Sequence, residues 1–216
     1  MAGGTKRRAW VAHCSGALLG LGLWGHSLAA APARTLLVVG DSLSAEYGIA
    51  RGAGWVALLS ARLQQRKAPY TVVNASISGD TTGGGRARLP ALLAQHRPAI
   101  VVIELGGNDA LRGLPLAHTR DNLRTMVQAA KAAGAKVLLV GMQVPPNYGA
   151  RYGQDFAATF AEVARSEKTA LVPFLLSGFA QRPDAESWFQ PDRIHPLAKA
   201  HPLMLDAVWP ALSPLL

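Results

Sequence analysis

Apolar β-branched runs alternate with helix-patterned stretches from Ala33 onward. Thr35-Leu36-Leu37-Val38-Val39 ends at Gly40 and reads as a strand buried on both faces. Trp55 to Arg66 follows as a helix, because Trp55, Leu58, Leu59 and Leu63 recur three and four apart. The same reasoning gives strands at Tyr70–Asn74, Ile100–Glu104, Val137–Gly141 and Ala170–Val172. Helices are predicted at Gly85–His96, Thr119–Ala133 and Asp155–Ser166, the first weakened at Pro90 and the second closed by Gly134. A last helix, Leu197–Leu212, is predicted to break at Pro202. Strictly alternating strands and helices imply one α/β domain over residues 30–216, a five-stranded parallel sheet with helices on both faces.

In such sheets ligands bind beyond the carboxyl ends of the strands. Three polar or Gly-rich segments follow strands directly: Gly40-Asp41-Ser42-Leu43-Ser44, Ser76-Ile77-Ser78-Gly79-Asp80 and Gly106-Gly107-Asn108-Asp109. Their convergence on one sheet edge is the first pointer to a site.

The leading residues change the picture of the compartment. Lys6, Arg7 and Arg8 precede a stretch from Ala9 to Trp24 without Asp, Glu, Lys or Arg, and Ser27-Leu28-Ala29 offers small residues two apart. This is the pattern of a secretory signal peptide over residues 1–29, with a periplasmic or secreted mature chain as its consequence. A retained anchor is the other reading, but glycines break the run below the ~20 apolar residues a spanning helix needs. The one cysteine, Cys14, falls inside this leader, so the mature chain offers no thiol nucleophile and no Cys metal ligands. Neither a metal nor another cofactor is expected.

The formal charge of +9 becomes +6 once Lys6, Arg7 and Arg8 are removed. Basic residues such as Arg51, Arg62, Arg86 and Arg97 are scattered without aromatic interleaving, so no nucleic-acid partner is expected. They read first as a solvated surface and second as an attraction for anionic lipid or acyl-phosphate substrates. A monomer without a stable membrane anchor is expected.

Ser42 lies two residues past a predicted strand end, where a helix is expected to begin. It is either a nucleophile at the mouth of the sheet or an ordinary N-cap. A serine nucleophile needs a base, and the base a third group to set its tautomer. Asp192 and His195, three apart in Gln190-Pro191-Asp192-Arg193-Ile194-His195-Pro196, supply both from one short turn. Taken by itself, an Asp-x-x-His is more often a polar surface turn. Gly40-Asp41-Ser42-Leu43-Ser44 lacks the second glycine of the nucleophile elbow, which excludes an ordinary α/β-hydrolase. Donors for a developing oxyanion are available in the backbone N–H groups of Ser42 and Gly79 and the side-chain amide of Asn108. Turn geometry and helix capping are the alternatives for Gly79 and Asn108.

Four ordered blocks, Gly-Asp-Ser-Leu-Ser (40–44), Asn-Ala-Ser-Ile-Ser-Gly-Asp-Thr-Thr (74–82), Leu-Gly-Gly-Asn-Asp (105–109) and Asp-x-Ile-His-Pro (192–196), resemble those of the GDSL, or SGNH, hydrolases. The likeness is greatest to the bacterial periplasmic thioesterase I, lysophospholipase and arylesterase group, and it runs from about Thr35 to Leu216. It implies a flavodoxin-like three-layer α/β/α sandwich and hydrolysis of acyl esters and thioesters through an acyl-serine. Ser42 would be the nucleophile, His195 the base, Asp192 its orienter, and Ser42, Gly79 and Asn108 the oxyanion hole. Leu111, Leu114, Pro146, Tyr148 and Ile194 would line an acyl-chain groove for a small-molecule ester, with ordinary loop packing as their other role. Two residues depart from the pattern: Glu46 stands where these enzymes have a small residue, and Arg193 where they have glycine. A carbohydrate O-deacetylase of the same superfamily and a non-catalytic flavodoxin-like binding domain are the competing functions.

Three features read as bystanders. His96, His118 and His201 lack metal spacing and are expected on the surface or as caps. Gly83-Gly84-Gly85 is expected to be a flexible active-site turn, since no Gly-Lys-Ser/Thr follows. Trp55, Trp188 and Trp209 are expected in the core or at its rim.

Overall fold

A computed structural model of the chain describes residues 1–4 and 33–216. The leader expected over residues 1–29, with Cys14, therefore lies outside the described residues beyond position 4. Residues 33–216 form one compact unit. Its five strands are β1 (Arg34–Gly40), β2 (Tyr70–Asn74), β3 (Ile100–Glu104), β4 (Lys136–Val140) and β5 (Ala170–Val172). All neighbours pair in parallel, in the order β2-β1-β3-β4-β5. Leu36–Val39 and Ile100–Ile103 are wholly buried, as continuous apolar runs in a covered sheet must be.

The described residues contain six α-helices: α1 (Trp55–Gln65), α2 (Thr82–His96), α3 (Gly107–Leu111), α4 (Leu116–Ala132), α5 (Ala150–Ser166) and α6 (His201–Leu212). Helix α1 packs with α6, while α4 packs with both α2 and α5, giving the two helical layers of the expected sandwich. The chain leaves β1 for β2 on one side and continues to β3 on the other. The crevice beyond the ends of β1 and β3 is therefore a topological switch point.

Several boundaries differ from the sequence expectation. No helix begins at Ser42; residues 42–48 form turns, and the first helix after β1 starts at Trp55. Gly83-Gly84-Gly85 is not a flexible turn but the first turn of α2, capped by the Thr81 hydroxyl, which accepts from the Gly84 amide at 3.2 Å. Glycine is needed at 85 because a Cβ there would lie 2.2 Å from Leu105 Cδ1. Helix α2 continues through Pro90, anchored by buried Leu89 and Leu93. Helices α4 and α5 start three and five residues earlier than predicted, at Leu116 and Ala150. Pro202 does not break α6 but sits in its first turn, where a missing N–H costs nothing; a separate 3₁₀ turn, Ala198–Ala200, precedes it.

His201 is not a surface residue. It is 2% exposed, and its Nδ1 accepts the Trp55 amide at 3.1 Å, capping the start of α1. Burial pushes its imidazole down to about 4, against the pull of the Glu46 carboxylate, so it remains a neutral acceptor. Trp55 is fully buried, whereas Trp209 lies at the rim beneath the guanidinium groups of Arg62 and Arg66.

Candidate active site

Ser42, Gly79, Asn108 and the Asp192–His195 pair all sit on segments leaving the carboxyl ends of strands. The Ser42 Oγ lies 2.8 Å from His195 Nε2, and His195 Nδ1 lies 2.7 Å from Asp192 Oδ2. Asp192 Oδ1 also accepts the amides of Ile194 and His195, each at 3.0 Å, which closes the loop into one turn. Burial works against the ionised Asp192, but the His195 amide and ring and the Ile194 amide outweigh it. Its carboxyl is held below the usual carboxylate range. An ionised Asp192 assigns the proton to Nδ1, leaving Nε2 to accept from the Ser42 hydroxyl.

The amides of Ser42 and Gly79 have no hydrogen-bond acceptor among the described residues. Gly79 takes φ 80°, a left-handed conformation that favours glycine, and its carbonyl accepts from Arg112 at 2.7 Å. Asn108 lies in the first turn of α3, and its Nδ2 donates to Asp41 Oδ2 at 3.1 Å. This donor is therefore held in place by the residue preceding the nucleophile.

A cavity of about 420 Å³ opens on Ser42, Asn108 and His195. Its remaining wall is largely apolar and includes Leu111, Val144, Phe174, Leu176, Phe189 and Ile194. Of the groove residues the resemblance implied, Leu111 and Ile194 line this cavity, while Leu114 and Tyr148 do not. Tyr148 stacks instead near Tyr152, with centroids 6.2 Å apart. The side chain of Pro146 lies outside the described residues. Among the described residues, no group of three or more His, Cys, Asp or Glu is placed to hold a metal.

Residues not singled out from the sequence support the site. Tyr47 lays its ring against His195, with centroids 4.3 Å apart. Beneath Ser42, the fully buried Glu104 accepts the Ser44 hydroxyl at 2.6 Å, and the Trp55 indole donates to the same Ser44 Oγ at 3.2 Å. Burial pushes the Asp41 carboxyl up to about 6, opposed by the Leu43 amide, His195 and Asn108. Burial and the neighbouring Asp41 raise Glu104 well above the ordinary glutamate range. The available signal was Glu104 itself, a charged residue ending a wholly apolar strand beside two polar segments.

A raised carboxyl holds its proton longer in the folded than in the unfolded chain. Folding stability therefore falls as pH rises from about 4.5 towards the native value of Glu104. Glu104→Gln keeps an acceptor for Ser44 and removes the ionisation. The melting temperature of the variant minus that of the parent is expected to grow steadily as pH rises above 4.5. A difference constant with pH would contradict a protonated Glu104.

Both departures from the family pattern occupy left-handed backbone, Glu46 at φ 61° and Arg193 at φ 58°. Glu46 is stabilised there by its carboxylate, which accepts from the amides of Gly52 at 3.0 Å and Gly54 at 2.9 Å, away from the catalytic groups. Glu46→Ala keeps the strained φ and loses these bonds, and is expected to cost about 1–3 kcal/mol in denaturant unfolding. Glu46→Gly is expected to cost less, because glycine carries no left-handed penalty. Equal losses would show that the carboxylate bonds alone matter. Arg193 lines the cavity mouth and lies 3.6 Å from Glu186, both side chains exposed.

The model of the GDSL-like Lipase/Acylhydrolase family matches residues 38–203. Esterase TesA of Pseudomonas aeruginosa is 57% identical over 186 residues, covering 86% of this chain and 91% of that protein. Thioesterase 1/protease 1/lysophospholipase L1 of Escherichia coli K12 is 46% identical, covering 86% of both chains. Among solved structures, TesA matches with a TM-score of 0.81, covering 85% of this chain and 100% of that one. The psychrotrophic esterase EstA of Pseudoalteromonas sp., inhibited by monoethylphosphonate, matches at 39% identity and a TM-score of 0.77, covering 84% and 97%. The chain belongs to the GDSL-like lipase/acylhydrolase family.

Proposed function

We propose that this chain hydrolyses acyl esters and thioesters with Ser42 as nucleophile. The observation carrying this reading is the 2.8 Å Ser42–His195 and 2.7 Å His195–Asp192 relay at the mouth of an apolar cavity. The names of the relatives, esterase, thioesterase, lysophospholipase and arylesterase, support the same chemistry.

In acylation, His195 Nε2 takes the Ser42 proton as Oγ adds to the substrate carbonyl carbon. The Ser42 and Gly79 amides and the Asn108 side chain receive the oxyanion. As the tetrahedral adduct collapses, His195 passes the proton to the departing alcohol, phenol or thiol, and Ser42 keeps the acyl group. Water, deprotonated by the same base, then releases the acid. Leu111 and Ile194, with Phe174 and Phe189, form the acyl-facing wall, which suits an alkyl or aryl chain better than a sugar. A panel of p-nitrophenyl esters of increasing chain length, run beside acyl-CoA substrates, tests the reading. Turnover restricted to acetylated sugars would replace it with the deacetylase.

The leader supports export. Residues 1–29 are removed in this reading, and the mature chain works in the periplasm as a monomer. Among the described residues no helix is long and apolar enough to cross a membrane. Intact mass spectrometry of the exported protein is expected to show a chain beginning near Ala30. A species retaining Cys14 would contradict the cleavage.

A further inference from the structure

Within residues 33–216, five large hydrophobic side chains are left exposed, and all five stand at the catalytic edge, four on loops and Leu111 at the end of α3. They are Tyr47, Ile77, Leu111, Leu114 and Ile194, between 37% and 53% exposed. Tyr47 follows β1, Ile77 follows β2, Leu111 and Leu114 follow β3, and Ile194 follows β5. Their loops meet at Ser42. The Ile77 amide donates to Gly40 O at 3.0 Å, Tyr47 lies against His195, and Leu111 and Ile194 line the cavity. Tyr47, Ile77 and Leu114 do not line it, so filling the acyl cavity leaves them in water.

An apolar rim confined to one edge and drawn from four separate strand connections is a contact surface rather than scattered surface hydrophobes. Its charge indicates the partner. Arg112 stands between Leu111 and Leu114, exposed except for its bond to Gly79 O, and Arg193 stands beside Ile194 with its side chain 76% exposed. Asp192 is bonded to His195 and Asp80 to Arg88 at 2.8 Å, while the exposed Glu186 lies 3.6 Å from Arg193 in a loose surface pair that leaves the guanidinium open to a second anion. Without Lys6, Arg7 and Arg8 the chain still carries +6.

We infer that the rim of the catalytic mouth seats on lipid surfaces bearing anionic headgroups, with Tyr47, Ile77 and Leu114 entering the apolar boundary and Arg112 and Arg193 meeting phosphate. Apolar area and electrostatic attraction add in such interfacial binding. The inference rests on the esterase reading only in placing an aggregated acyl ester directly over Ser42; binding itself is read without turnover.

The test is co-sedimentation with vesicles of ether-linked phosphatidylglycerol and phosphatidylcholine, which offer no carboxylic ester to cleave. The protein is expected to sediment with these vesicles, less so at high salt and less so with phosphatidylcholine alone. Ile77→Asp is expected to lower the partition coefficient roughly tenfold or more, while p-nitrophenyl acetate turnover stays within about twofold. Ile77→Ser repeats the comparison without an added charge and is expected to weaken binding in the same direction. Parent protein left in the supernatant with the anionic vesicles, or Ile77 variants that sediment like the parent, would overturn the inference. Loss of ester turnover in the parent would strike the esterase reading instead.

Discussion

Ser42→Ala is expected to reduce kcat for any p-nitrophenyl ester by roughly 10⁵–10⁶-fold, the scale on which hydrolases of this type lose a nucleophile. The expectation follows from position. The hydroxyl is the only side-chain atom that alanine lacks, and its contact is with His195 at 2.8 Å rather than with the core. Removing one such hydrogen bond changes stability by only about 1 kcal/mol. Melting temperature should therefore barely move while turnover vanishes. Substantial turnover by a folded Ser42→Ala protein would displace Ser42 from the mechanism.

The second large effect belongs to Asn108. If its amide meets charge only as the oxyanion forms, Asn108→Ala is expected to lower kcat by about 10²–10³ with KM nearly unchanged. The structure adds a complication that the sequence did not show, since the same Nδ2 donates to Asp41 Oδ2 at 3.1 Å. Asp41 is already raised to about 6 by burial, and the Asn108 amide is one of the groups opposing that rise. The variant should therefore also lift Asp41 further. A purely structural Asn108 would instead show a lowered melting temperature and near-normal kcat. Measuring kcat, KM and melting temperature together separates the two roles.

The strands were the most legible part of the fold. Each is a short β-branched run such as Ile100–Ile103, ended by a polar or small residue, and buried parallel strands leave that trace. Helix starts were less legible. Gly83-Gly84-Gly85 carries no helical preference, and it takes the packing of Asp80 against Gly84 and of Leu105 against Gly85 to account for glycine in the first turn of α2. The approach of Ser42, Asp192 and His195 was readable because serine activation demands these three groups together. The layer beneath was not. Glu104 is 60 residues from Ser44, and the one trace it leaves, a charged residue ending an apolar strand, does not say which loop it is buried against. Arg193 stands where the family pattern has glycine, and its φ of 58° gives the physical reason glycine is favoured there. The groove was legible only in part, because which loop residues face inward depends on turns such as 146–148, which carries Tyr148 towards Tyr152 rather than the cavity.

The central claim is that His195 makes Ser42 a nucleophile, and covalent labelling reads this directly. The protein is incubated with a fluorophosphonate and the adduct located by peptide mass spectrometry, in the parent and in His195→Ala. One adduct on Ser42 in the parent, absent or slowed by orders of magnitude in His195→Ala, is the predicted result. An adduct on another residue, or labelling of Ser42 at the same rate without His195, would contradict it.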